Sequence, residues 1–335
     1  MLISKNDLPV LLDRILGEYE VYAPVKEHGK VEFKKISSGT QVCLQYSNSQ
    51  KPPKGILFPQ SEKMFCYETV QDGVRVDEIC DCSKKVIWGI RPCDAKSFTI
   101  LDDAFKNEQY RDPYYYKRRE NTVIVGFGCN RPGATCFCTS VNSGPFDTAG
   151  SDVFLTELED KYYVEGITEK GKEFIARYQL PDGSPDTSRI KESAVVASKV
   201  NLDGLKEKLD VNFYDEIWDS LWEKCIGCAA CTYLCPTCHC FDIVEEAEGG
   251  KGCRVRNWDA CMFPLFTLHG SGHNPRPSGK ERVRQRIMHK FKYFQDKFQQ
   301  TACVGCGRCI KNCPVNLDIR ILLDAIQQRE SGEGC

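Results

Sequence analysis

Two stretches of this chain carry cysteines at a spacing suited to iron–sulfur chemistry. Cys225-Ile-Gly-Cys228-Ala-Ala-Cys231-Thr-Tyr-Leu-Cys235-Pro236 reads C-x2-C-x2-C-x3-C-P. Cys303-Val-Gly-Cys306-Gly-Arg-Cys309-Ile-Lys-Asn-Cys313-Pro314 repeats that spacing residue for residue. In such a motif three thiolates on one tight loop reach three corners of a cubane, while the fourth, ahead of proline, serves the other cluster. The expected ligand sets are therefore crossed: Cys225, Cys228, Cys231 and Cys313 for one [4Fe–4S] cluster, Cys303, Cys306, Cys309 and Cys235 for the second. Structural zinc also uses C-x2-C pairs, but gains nothing from a third cysteine two residues on or from the trailing Cys-Pro. Two neighbouring cubanes with four thiolates each pass single electrons and leave no coordination position open for catalysis.

Other residues carry weaker signals. Cys93, Cys129, Cys136 and Cys138 follow two predicted strands, where α/β sheets place ligand sites. Four thiolates suffice for a third [4Fe–4S] cluster, yet their spacing matches no ferredoxin signature, and cysteine also packs as a small buried hydrophobe. Cys238, Cys240, Cys253 and Cys261 are irregularly spaced and read as packing around the clusters. His269, His273 and His289 could meet Asp259 at a metal, but Gly270-Ser-Gly272 between the first two favours a loop. Val123-Ile-Val-Gly126-Phe-Gly128 starts like a dinucleotide fingerprint that Arg131 and Pro132 then interrupt, so neither flavin nor NAD is expected on this chain. Lys280, Arg282, Arg284, Arg286, Lys290 and Lys292 read as a solvated helix face; the functional alternative is steering an acidic partner or offsetting anionic clusters.

The elements that must position these residues differ between the two halves. Eight of the 21 cysteines fall between Cys43 and Cys138, and twelve between Cys225 and Cys313. The stretch between holds Pro181-Asp-Gly-Ser-Pro, a linker composition. The expected organisation is an α/β N-terminal docking domain, 1–205, and a C-terminal α-helical ferredoxin domain, 206–335. In the first, Val86–Ile90 and Thr122–Gly128 read as buried strands around a helix starting at Asp94. In the second, Leu205–Trp222, Lys280–Gln300 and Asp318–Arg329 have helical periodicity. A balance of 45 basic against 47 acidic residues argues against a nucleic-acid partner. No apolar run is long enough for a membrane span, and Asp7 interrupts any signal peptide, so a cytoplasmic protein is expected. Disulfides are rare there, and abundant cysteines bind metal.

Cys235-Pro-Thr-Cys-His-Cys-Phe-Asp-Ile, Arg254-Val-Arg-Asn-Trp-Asp-Ala-Cys261, His269-Gly-Ser-Gly-His273-Asn-Pro-Arg276 and Arg284-Gln-Arg-Ile-Met-His-Lys-Phe-Lys-Tyr293 resemble a known family. It comprises the beta subunits of cytoplasmic sulfhydrogenases and the A subunits of anaerobic sulfite reductases. Gly89-Ile-Arg-Pro-Cys93-Asp-Ala and Gly128-Cys129-Asn-Arg-Pro-Gly-Ala-Thr-Cys136-Phe-Cys138 extend the likeness into the first half. The resemblance implies a non-catalytic subunit relaying electrons between an FAD/NAD(P)H-binding, diaphorase-type partner and a catalytic subunit of hydrogenase or sulfite/sulfur reductase type. The alternative, a terminal reductase of heterodisulfide-reductase type with its own catalytic cluster, would use adjacent Cys-Cys-Gly signatures, and no two cysteines here are adjacent.

Overall fold

The β-branched runs of the first half form strands, and their alternation decides what covers each face. In the computed structural model, which describes residues 1–329 and so leaves Cys335 outside, nine strands form in this half. They are β1 (Leu2–Ser4), β2 (Glu20–Glu27), β3 (Lys30–Lys35), β4 (Ser61–Val70), β5 (Gly73–Glu78), β6 (Lys85–Ile90), β7 (Thr122–Phe127), β8 (Val153–Glu157) and β9 (Lys161–Gly166). Seven of them make one sheet in the order β1-β9-β8-β7-β6-β2-β3. Its middle pairs, β2–β6, β6–β7 and β7–β8, are parallel, and the outer pairs are antiparallel.

Parallel strands are buried on both faces, and every residue of β6 and β7 is buried. Val86, Trp88, Val123 and Val125 pack with α1 (Leu8–Leu16). Ile87, Ile90 and Ile124 pack on the opposite side, against α2 (Pro92–Ala104) and α3 (Pro113–Glu120). Ile87 and Ile90 share a face because the register shifts at Gly89, whose φ of +73° makes a bulge there. Helix α2 starts at Pro92 rather than at Asp94: proline is pre-organised for the first turn, and Asp94 becomes a first-turn acid. Helices α4 (Glu169–Ala176) and α5 (Ser188–Ser193) follow β9.

The chain does not divide at one cut near 205. One compact unit comprises 1–132, 144–195 and 241–258; the other comprises 133–143, 196–240 and, among the described residues, 259–329. The chain returns to the first unit at 241–258 because this stretch is a hairpin of β10 (Phe241–Glu248) and β11 (Lys251–Trp258), which extends β4 and β5 into a sheet of order β10-β11-β4-β5. Gly249 and Gly250, both at positive φ, make its turn. Cys253 therefore packs around no cluster: it faces Cys66 of β4, and the two form a disulfide.

The regular elements of the second unit among the described residues are helices. Leu205–Trp222 is two helices, α6 (Leu205–Val211) and α7 (Ile217–Trp222). Between them Asp215 accepts from the Ile217 N–H at 2.7 Å and the Trp218 indole donates to the Asn212 carbonyl at 2.8 Å, local bonds that compete with helix continuation. Short turns α8 (Ala230–Tyr233) and α11 (Arg308–Lys311) sit inside the cysteine motifs. Between the motifs, α9 (Gly279–Met288) opens on a Ser278/Glu281 capping box. It runs through a π turn, His289–Tyr293, into α10 (Phe294–Phe298). Asp318 caps α12 (Ile319–Gln328), whose Ile319, Leu322, Leu323 and Ile326 enter the core of this unit.

Candidate metal centres

Both cysteine loops follow one backbone path. Gly227 and Ala229 in the first, and Gly305 and Gly307 in the second, hold left-handed φ values of +60° to +73° two and four residues after the leading cysteine. One turn of helix, α8 or α11, then delivers the third cysteine. A further turn, closed by Cys235 N–H to the Thr232 carbonyl at 3.2 Å or Cys313 N–H to the Ile310 carbonyl at 3.3 Å, presents the fourth before its proline.

The last cysteine of each loop lines a pocket together with the first three of the other. Cys303, Cys306 and Cys309 line one pocket together with Cys235, while Cys225, Cys228 and Cys231 line another together with Cys313; Cys309 borders both. Phe137, Val304 and Ile319 wall the first with apolar surface; Met262, Val283 and Leu322 wall the second. Among the described residues no three His, Cys, Asp or Glu side chains are gathered at single-ion spacing. The motif cysteines instead line two pockets. Burial pushes the Cys231 and Cys303 thiols up to about 11. Iron binding, which takes thiolates, therefore expels their protons.

Two cations make the test of fit. The helical stretch that buries Val283, Ile287 and Phe291 also buries Arg286 and Lys290, which are 8% and 3% exposed. Arg286 walls both cavities, and its Nε and Nη2 are buried without a hydrogen-bond partner. The Lys290 ammonium donates to Cys235 Sγ at 3.2 Å, Thr237 Oγ1 at 3.1 Å and the Ala302 carbonyl at 2.9 Å. Burial works to lower its pKa, but the sulfurs of Cys235, Cys238 and Cys303 hold it above the ordinary lysine value. Neither cation meets a carboxylate among the described residues. Buried charge of this kind costs several kcal/mol unless an anion compensates it. A thiolate-ligated cubane is such an anion, so the residues present fit the group. In the sequence Arg286 and Lys290, four apart, do fall within the apolar stripe Val283, Ile287, Phe291 and Phe294, but the basic stretch as a whole reads as a solvated face, and only the packing turns these two inward.

The remaining basic residues of this stretch have surface partners. Lys280 pairs with Asp219 at 2.8 Å, and Lys292 with Asp210 and Asp296. Arg282 donates to the Arg276 and Pro277 carbonyls, and Arg284 to the Phe213 carbonyl while lying over that ring at 4.0 Å. The histidines do not converge. His269 and His273 face each other across a loop, 5.4 Å between ring centres. His289 lies instead against His239, and burial pushes it down to about 3. Asp259 is engaged with the Ala260 N–H.

Hydrogen bonding to Cys235, then burial, holds the Cys238 thiol well above its ordinary pKa; Cys240 and burial do the same for Cys261. Of the four residues expected at a third cluster, Cys93 and Cys129 belong to the first unit and Cys136 and Cys138 to the second. Segment 133–143 rests on the second motif: Phe137 N–H donates to the Gly305 carbonyl at 2.8 Å, and Cys136 Sγ lies 3.9 Å from the Cys306 carbonyl.

Residues 224–317 match the 4Fe-4S dicluster domain family. Site and match together define an iron–sulfur protein of the electron-transfer class. Over 332 residues the chain is 32% identical to Sulfhydrogenase 2 subunit beta of Pyrococcus furiosus, covering 96% of each. The chain belongs to the sulfhydrogenase beta-subunit family. No solved structure matches it. Among the described residues no helix is long and apolar enough to cross a membrane.

Proposed function

We propose that this chain is the electron relay of a cytoplasmic, hetero-oligomeric oxidoreductase. One [4Fe–4S] cluster is held by Cys225, Cys228, Cys231 and Cys313, the other by Cys303, Cys306, Cys309 and Cys235. The observation that supports this reading is the lining of the two pockets, where each fourth cysteine joins the first three of the other motif and Cys309 borders both. When bound, such clusters accept and release single electrons. The protein's part is to supply thiolates on pre-shaped loops, to keep water off them with apolar walls, and to balance their charge with Arg286 and Lys290. Cys228 is exposed and its neighbour Ile226 is 65% exposed, so the first loop offers the shortest path to a partner's electron carrier. A flavin-containing, NAD(P)H-reactive subunit and a separate catalytic subunit of hydrogenase or sulfite/sulfur reductase type are the partners this role requires.

Iron and sulfide analysis of the anaerobically prepared full chain, with EPR after reduction, tests the reading. Two clusters correspond to about eight iron atoms per chain, with fast-relaxing cubane signals. Absence of any cubane signal overturns the relay. About twelve iron atoms, falling to about eight on replacing Cys93, Cys129, Cys136 and Cys138 by serine, would add the third cluster that the sequence allows.

A further inference from the structure

The two fourth cysteines have unequal surroundings. Cys313 Sγ receives a backbone N–H, from Leu317 at 3.2 Å. Cys235 Sγ receives the Lys290 ammonium at 3.2 Å and lies 3.1 Å from the Thr237 hydroxyl, which in turn donates to the Ala302 carbonyl at 2.8 Å. Arg286 lines both cavities, whereas Lys290 lines the cavity of Cys235. Lys290 sits in the π turn His289–Tyr293, a helix irregularity frequent at functional sites.

Reduction adds one negative charge to a buried, already anionic group. A fixed cation at hydrogen-bond distance from a ligand sulfur stabilises that extra charge, and in a low-dielectric interior the effect is large. We propose that Lys290 is a potential-setting residue. Through Cys235, it holds the centre of Cys235, Cys303, Cys306 and Cys309 at a more positive potential than the centre of Cys225, Cys228, Cys231 and Cys313; Arg286 raises both. The inference rests on the relay reading. It gives the relay a resting place for its electron: transfer oxidises the surface-proximal centre by one electron and reduces the Lys290 centre by one. Lys290 contributes by charge alone, without proton transfer.

A potentiometric titration of the loaded full chain, followed by EPR, tests this. In Lys290→Met the more positive of the two one-electron steps moves down. At fixed applied potential the reduced-to-oxidised ratio of that centre falls at least about tenfold, which is about 59 mV for one electron. The other step moves by less than about threefold in the same ratio. Lys290→Arg, which keeps the charge, restores most of the difference, and Arg286→Gln lowers both steps. If Lys290→Met loads less iron, Thr237→Val carries the test. It leaves the ammonium in place but removes the hydroxyl that fixes it, and moves the same step by a smaller amount. Unmoved steps at full iron content, or equal movement of both, overturn the role of Lys290 while leaving the relay intact. Missing clusters in the unaltered chain overturn the relay instead.

Discussion

Gly307 and Gly29 share a left-handed backbone, at φ +73° and +76°, but for different reasons. A Cβ on Gly29 would meet nothing within 4 Å, whereas one on Gly307 would lie 2.4 Å from the Thr135 carbonyl oxygen. Gly29→Ala should therefore cost only the conformational preference, about 1 kcal/mol. Gly307→Ala should cost about 2–4 kcal/mol, because backbone must also move. Denaturant unfolding of the two variants checks this, and equal costs would count against close docking of segment 133–143 on the second motif. The glycine between the first two cysteines is visible in both motifs of the sequence; why position 307 is also glycine becomes clear only from Thr135. Lys290 is a similar case. Its type and spacing were plain, but its direction depends on what packs beside the helix.

At the scale of elements, legibility followed burial. Strands β6 and β7 were readable because both faces are covered, which demands short β-branched runs. The hairpin β10–β11 was not, because its outer strand is almost wholly exposed and alternates little in polarity. What anchors it is a buried ionic group. Glu62 of β4 is 4% exposed in its side chain and accepts from Arg118 at 2.6 Å and from Arg256 of β11 at 2.6 Å; Arg256 also reaches Asp112. Glu62→Ala leaves two buried guanidinium groups short of an anion and should destabilise by about 3–5 kcal/mol. Glu27→Ala, which breaks the exposed pair with Lys34, should leave the unfolding midpoint essentially unchanged. Comparable midpoints for the two would show that the Glu62 cluster does not anchor the hairpin.

At the scale of the molecule, the chain crosses between its units repeatedly, yet their cores differ in what they are built around. The core of the second unit is built around two cysteine-lined cavities and two buried cations, and without an anionic partner those cations are uncompensated. The core of the first unit is packed hydrocarbon on both faces of a sheet. Stripping iron from the full chain with a chelator should therefore raise hydrogen exchange in α9, the π turn and α12, while β6 and β7 keep their protection. Peptide-resolved exchange measured by mass spectrometry reads this, and uniform loss across both units would count against it.

The sequence by itself determined what is local. Cluster-binding loops need their ligands within a dozen residues, so spacing alone singled out the eight motif cysteines, while the crossing of the fourth one was an expectation carried by the motif. Strand and helix periods likewise marked β6, β7, α9 and α12. Tertiary structure decided what depends on partners far along the chain. The hairpin 241–258 joined β4, Cys253 met Cys66, segment 133–143 settled on the second motif, and Arg286 and Lys290 turned inward. The physical reason is common to all of these. A residue's own type sets what it needs, an anion, a register or an apolar cover. Which distant segment supplies that need is settled only when the chain packs.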